Sequence, residues 1–365
     1  MQSSSILLHI HHIDLLQFRN YSSAKFSFEK RITAICGSNG KGKTNLLDAI
    51  YYLCFTKSYF NKTDAQSVEM GSMGFRVSGN FTKKGELLEI ALLLRENSKK
   101  ELQIDTEIIM PFSTHIGRLP IVFVAPDDVV LITGSSEERR KLMDTVLSQT
   151  DPDYLIHLIK YGRVLQERNK YLKSEEIGKI DFTLLDSYDH QVSDFGSKIL
   201  EKRNLFFTQY IPLVQDLFAF ITEGKETPKL DYSPSTTVEQ YKQDLLLNRH
   251  KDLILQRTTI GIHKDDLELG LMGLPFKQMA SQGQRKSMLF ALKLAEFEYL
   301  KHHFGFEPIL LLDDVFEKLD QQRLEKLLEW VCNRNTGQVL LTDTHPERIS
   351  KALSEYALTY HLIQL

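Results

Sequence analysis

Apolar and polar positions along this chain change period twice. Over residues 6–131 the apolar runs are short and strand-like. "ITAIC" (residues 32–36) reads as a buried strand, "FRVSGNF" (75–81) and "LLEIALLL" (87–94) as paired sheet strands, and "PIVFVAP" (120–126) as another buried strand. Between Glu137 and Ile221, Leu, charged residues and aromatics recur every three to four positions. That spacing predicts three long helices, over 137–149, 153–173 and 188–221. The last is expected to be interrupted near Pro212, which lacks an N–H and crowds the preceding turn. A polar linker with two prolines is read over 222–237, then a helix over 240–248. Strands at 308–314 and 338–342 and helices at 283–303 and 321–334 return the chain to an α/β texture. The pattern predicts an α/β domain split around a mainly helical insertion: residues 1–132, then 133–250, then 251–365.

At 365 residues and 42% hydrophobic content the chain can bury a sizeable core. Its net charge of -3 does not mark the whole molecule as a polyanion binder, although a local basic face would suffice for that. Cys36, Cys54 and Cys332 form no CxxC, so they read as reduced thiols rather than a zinc site or a disulfide frame. The first residues lack the basic flank and cleavage site of a signal peptide. No run approaches the ~20 continuous apolar residues of a membrane span. These features predict a soluble, cytoplasmic chain with no membrane partner.

"GSNGKGKT" (37–44) follows the strand at 32–36 and opens the helix "TNLLDAIYYL", matching the pattern G-x-x-x-x-G-K-[ST]. Gly37, Gly40 and Gly42 let the backbone wrap around phosphates with its N–H groups turned inward. The helix N-terminus adds partial positive charge. Ser38, Asn39 and Lys41 fill the loop's variable positions, and the pattern does not fix the Lys41 side chain. Lys43 would reach the β and γ phosphates of ATP, and the Thr44 hydroxyl would ligate Mg²⁺. The acidic partner such a loop needs is in "PILLLDDVFEKLD" (308–320). Asp313 would emerge at the carboxyl end of a buried strand, near the metal, and Asp314 would orient or deprotonate the attacking water.

"MASQGQRKSMLFALKLAEF" (279–297) sets Ser281, Gly283 and Gln284 before an amphipathic helix, a second helix N-terminus suited to an anion. This segment resembles the signature of ABC-type ATPases. The resemblance implies that Ser281, Gly283 and Gln284 of one subunit meet the γ-phosphate held by the other. The stretch between Thr44 and Ser281 is mostly globular helix, too long for a transporter ATPase and lacking the coiled coil of an SMC protein.

With "LQFRNY" (16–21), "APDDVVLITGSSEERRKLMD" (125–144), "LQERNKYLK" (165–173) and "GIHKDDLEL" (261–269) added, nearly the whole chain resembles the RecF family of bacterial DNA replication and repair proteins. The resemblance implies an ABC-type P-loop ATPase head with an inserted helical lobe, and an ATP-dependent homodimer with slow hydrolysis. It implies binding to duplex DNA near single-strand gaps, and partnership with RecR and RecO in loading RecA. It also implies a link to replication and the SOS response. One departure is "EKLD" where these proteins carry Ser–Glu–Leu–Asp, which puts Glu317 and Lys318 in doubt as interface residues and keeps Asp320. The γ-phosphate sensor after the last strand is left among Thr342, Asp343, Thr344 and His345.

For DNA, the residues themselves offer Arg19, Lys25, Lys30, Arg31, Lys41, Lys43 and Lys57 near the start, then Arg139, Arg140 and Lys141, then Arg163, Arg168, Lys170 and Lys173. On a helix Arg163, Lys170 and Lys173 share one side and would neutralise phosphates without reading bases. A solvated helix face with its own acid partners has the same composition. The rival functions are a transporter-associated ATPase and a DNA-independent regulatory ATPase, and DNA binding that requires ATP separates both from the main reading.

Overall fold

The structure, a computed structural model, describes residues 6–174, 180–314, 321–354, 356 and 358–365. In chain order its strands are β1 (Leu8–Phe18), β2 (Tyr21–Ser27), β3 (Ile32–Cys36), β4 (Phe75–Lys83), β5 (Glu86–Leu94), β6 (Lys100–Ile104), β7 (Glu107–Ile108), β8 (Ile121–Val124), β9 (Pro228–Ser233), β10 (Asp266–Leu271), β11 (Leu274–Pro275), β12 (Ile309–Leu312), β13 (Val339–Asp343) and β14 (Tyr360–Gln364). The helices are α1 (Lys43–Phe55), α2 (Val130–Thr133), α3 (Ser136–Thr150), α4 (Pro152–Ser174), α5 (Phe182–Thr222), α6 (Tyr241–Leu255), α7 (Phe276–Met279), α8 (Gln282–Phe304), α9 (Gln321–Glu329) and α10 (Pro346–Ser354). The described residues divide into two compact units. The first comprises the chain up to Asp128, Asp216–Glu226 and Gln282–Leu365, and the second Val129–Gln215 and Thr227–Ser281.

The first unit holds two sheets. One is five-stranded and parallel, in the order β14-β3-β13-β12-β8. Its strands are largely apolar on both faces, as a sheet covered on both sides requires: every residue of β3, β13, β12 and the edge strand β8 is buried. The other is six-stranded and antiparallel, in the order β2-β1-β4-β5-β6-β7, with a register shift between Ile10 and His12. Helix α1 contacts strands of both sheets, which is why Leu46, Leu47, Ile50, Tyr51, Tyr52, Leu53 and Phe55 are all buried and no polar face remains. α8 packs on β8.

The second unit contains α2, α3, α4, α6, α7, most of α5, and the antiparallel sheet β11-β10-β9. Three expectations are corrected by it. The 222–237 segment is not only a linker: Pro228, Leu230 and the half-buried Tyr232 alternate inward on β9, which pairs with β10. Helix α5 is not interrupted at Pro212. The proline ring is exposed while Phe206, Phe207, Tyr210, Val214 and Phe218 are buried on either side, so packing outweighs one lost backbone bond. The expected boundary at residue 250 falls within α6, and the unit continues to Ser281.

Among the described residues α5 is the one helix with the length and composition of a membrane span. Its apolar stripe is core, however, and it carries the buried Arg203, which donates to Ile262 O at 2.7 Å and to Asp265 at 2.8 Å.

Candidate nucleotide site

The phosphate loop is shaped by its glycines and by the strands beside it. Gly37 N donates to Asp343 O at 3.3 Å, and a Cβ on Gly37 would lie 2.9 Å from Leu365 O. Gly40 and Gly42 take φ of 82° and 104°, the left-handed region where a side chain is strained. Around Gly40 the space is open; at Gly42 a Cβ would meet Asn20 Nδ2 at 2.6 Å and Tyr21 Oη at 2.7 Å. No side chain caps α1, which leaves its first N–H groups available to a ligand. Lys43, 4% exposed, folds back to donate from Nζ to Gly37 O at 2.8 Å. Terminal phosphate oxygens are stronger acceptors for that ammonium than a carbonyl is. Ser38, Asn39 and Lys41 are exposed on the outer rim.

The parallel order brings the carboxyl ends of β12 and β13 beside the loop. Thr44 Oγ1 lies 3.0 and 2.8 Å from the two carboxylate oxygens of Asp313. Thr342 Oγ1 donates to Asp313 at 2.8 Å and accepts from Asp314 N at 2.8 Å. Burial raises the Asp313 carboxyl above its ordinary value. Hydrogen bonds from Thr342 and Thr44 pull it down, the neighbouring Asp314 pushes it up, and Lys43 opposes that. A hydroxyl and a buried carboxylate side by side are hard oxygen donors, and a divalent cation would restore the carboxylate's charged form. The residues therefore fit Mg²⁺. Asp314 takes φ of 44°, a strained conformation for a residue with a side chain. Of the four positions left open for the sensor, Thr342 is the one bonded to both aspartates. Asp343 instead accepts from His345 N at 2.7 Å.

Sequence reasoning missed the clamp behind the loop. A tight turn at Arg19 and Asn20 joins β1 to β2, which opens with Tyr21. Arg19 donates to Asn45 Oδ1 at 2.7 Å, to Ser58 Oγ at 2.9 Å and to the buried Asp48, which also accepts from Tyr59 N at 2.7 Å. Asn20 accepts from Asn45 at 2.7 Å and reaches Lys41 O, and Tyr21 Oη donates to Gly42 O at 3.1 Å. These bonds fix the loop's return and the first turn of α1. The signal was present in "LQFRNY" as a polar triplet closing an apolar strand.

The signature residues have other neighbours. Ser281 is exposed and belongs to the second unit; Gly283 and Gln284 open α8 in the first. A Cβ on Gly283 would lie 2.8 Å from the Arg323 guanidinium, so the glycine admits a side chain of α9 here. Arg323 Nε donates to Ser287 Oγ at 2.7 Å. Glu317, Lys318 and Asp320 lie outside the described residues.

Several basic residues considered for DNA are structural. Arg139 donates to Asp266 at 2.7 and 2.8 Å, Arg140 to Asp265 O at 2.6 Å, and the buried Arg168 to Asp189 at 2.7 Å and Thr258 at 2.8 Å. Arg163, Lys170 and Lys173 are exposed on one side of α4, with Arg163 3.2 Å from Glu167.

A family model described as RecF/RecN/SMC N terminal domain matches residues 9–362. The chain is 40% identical over 363 residues to the DNA replication and repair protein RecF of Flavobacterium johnsoniae, covering 98% of this chain and 100% of that protein. It is similar to a solved structure of the recombination mediator protein RecF with ATP, of the RecFOR pathway. The TM-score is 0.86 and the identity 26%, over 94% of each chain. A solved SMC head bound to the winged-helix domain of ScpA gives a TM-score of 0.54 at 15% identity, over 94% of this chain and 91% of that one, a likeness of fold alone.

Proposed function

The chain belongs to the RecF family of DNA replication and repair proteins, with the fold of an ABC-type ATPase head, and from that premise we propose that it is an ATP-gated DNA-binding switch. The observation that carries the nucleotide part is the cluster Thr44–Asp313–Thr342–Asp314 at the open end of the phosphate loop. ATP is the substrate, cradled by the backbone of residues 37–44, with Ser38, Asn39 and Lys41 at the rim and Lys43 turned from its carbonyl acceptors to the β and γ phosphates. Thr44 and Asp313 would hold Mg²⁺, which when bound neutralises charge on the phosphate oxygens. Asp314 takes the proton of the attacking water, and Thr342, bonded to its backbone, holds it in register.

Ser281, Gly283 and Gln284 of a second copy would complete the site, so that bound ATP is part of a dimer interface. Hydrolysis is slow, stimulated by DNA, and opens the dimer. The family supports duplex DNA near single-strand gaps as the target, RecO and RecR as partners, a role upstream of RecA, and a place in the cytoplasm. The exposed side of α4, with Arg163, Lys170 and Lys173, supports a basic face for the DNA backbone.

The deciding measurement is fluorescence anisotropy of a labelled gapped duplex, titrated in ATP plus Mg²⁺ and again in ADP. Binding about tenfold or more tighter in ATP is expected, and Lys43→Ala should lose that difference. Equal affinity in both nucleotides, or no binding in either, would refute the switch.

A further inference from the structure

At the start of α8, Gln284 Nε2 donates to Glu226 Oε1 at 2.8 Å. The other carboxylate oxygen, Oε2, is buried and accepts no hydrogen bond. Glu226 is delivered by a built turn. α5 ends at Thr222, Glu223 and Gly224 take φ of 55° and 69°, and Gly224 N donates to Ala219 O at 2.8 Å. Glu223 accepts from Gln322 Nε2 at 2.8 Å. One turn back, Phe220 lies 4.0 Å from the Arg334 guanidinium and 5.3 Å from Lys326 Nζ, ring centroid to cation.

A carboxylate thus occupies the amide of Gln284, one of the groups assigned above to the partner's terminal phosphate. Both are anions, and they need the same donor. We propose that Glu226 is an autoinhibitory latch on the signature segment: its carboxylate takes the Gln284 amide that the nucleotide of a second copy would take, and its charge opposes a phosphate arriving there. The inference rests on the shared-site reading of the previous section. The half-satisfied carboxylate keeps the latch shallow, because an acceptor buried without a partner gains by turning out to water. Specificity follows as well. A weakly held anion gives way to the fully charged terminal phosphate of ATP, and ADP, which lacks that phosphate, leaves the latch closed.

The test is sedimentation velocity of the full chain over a protein dilution series in ATP plus Mg²⁺, comparing wild type with Glu226→Gln and Glu226→Ala. Both variants should dimerise about tenfold or more tighter than wild type, since each removes the charge. Binding of a fluorescent ATP analogue to the monomer should be unchanged and also reports that the variants are folded. Dimerisation no tighter than wild type in either variant overturns the latch while leaving the shared site standing. Failure of wild type and both variants to dimerise in ATP overturns the shared site, and the latch with it.

Discussion

His115 is fully buried and uses only one ring nitrogen: Nε2 donates to Leu53 O at 2.7 Å, while Nδ1 is buried without a partner. Burial therefore pushes its pKa down to about 4 from the ordinary 6.5, partly offset by the bond to Leu53. The unfolded chain takes up a proton on this ring below pH 6.5, and the folded chain does not until about pH 4. Its stabilising effect is thus complete above 6.5 and is lost as pH falls through that window, by about 3 kcal/mol at most. Urea midpoints measured from pH 7.5 to 4 should fall more steeply for wild type than for His115→Asn; parallel curves would show that the ring does not govern this loss.

At this same scale the sequence was informative where chemistry is local. The loop from Gly37 to Thr44 was legible because its residues act on one another as neighbours. The roles of Arg19, Arg139, Arg140 and Arg168 were not, because the groups that fix them, Asp48, Asp266, the Asp265 carbonyl and Asp189, lie between 21 and 127 positions away. A cation reads as a surface charge until its partner is placed.

Among the elements, α5 is the one that ties the second unit together. Its Arg203 bonds to Asp144 of α3 at 2.8 Å and Tyr154 of α4 at 3.1 Å, and Asp265 in turn accepts from Tyr232 of β9 at 2.6 Å. Arg203→Ala would strand Asp265, 1% exposed, and should destabilise the unit by about 3–5 kcal/mol. Arg203→Lys should rescue little, since one ammonium cannot replace the planar fork. Chemical denaturation checks both, and a change below ~1 kcal/mol in the alanine variant would refute the keystone role. The helix itself was visible in its three-to-four spacing. Its continuity past Pro212 was not, because that depends on tertiary burial. β9 escaped detection for a related reason: its partner β10 comes after α6, so only the pairing reveals a strand inside a proline-flanked polar segment.

On the scale of the whole molecule, the parallel sheet was foreseeable from its continuous apolar strands. The proposed two-copy arrangement would be a matter of surface and charge, and it is tested by Ser281→Arg. That exposed substitution should leave ATP affinity intact and raise the concentration needed for the ATP-dependent dimer at least about tenfold. An unchanged dimer, followed by light scattering, would refute a trans role for Ser281.

The interleaving of the two units also sets a timetable for the chain's birth. Every residue of the second unit is made by Ser281, before β12, β13 or β14 exists. Among the described residues the strand carrying the phosphate loop, β3, pairs with β13 and β14, and β8 with β12. During synthesis the antiparallel sheet and the helical unit can close while β8 and the largely apolar β3 wait on the growing polypeptide without neighbours. Such strands are templates for pairing with other chains. The nascent protein therefore passes through a long interval in which a holding chaperone, or rapid elongation, would protect β3 and β8 until their neighbours are made.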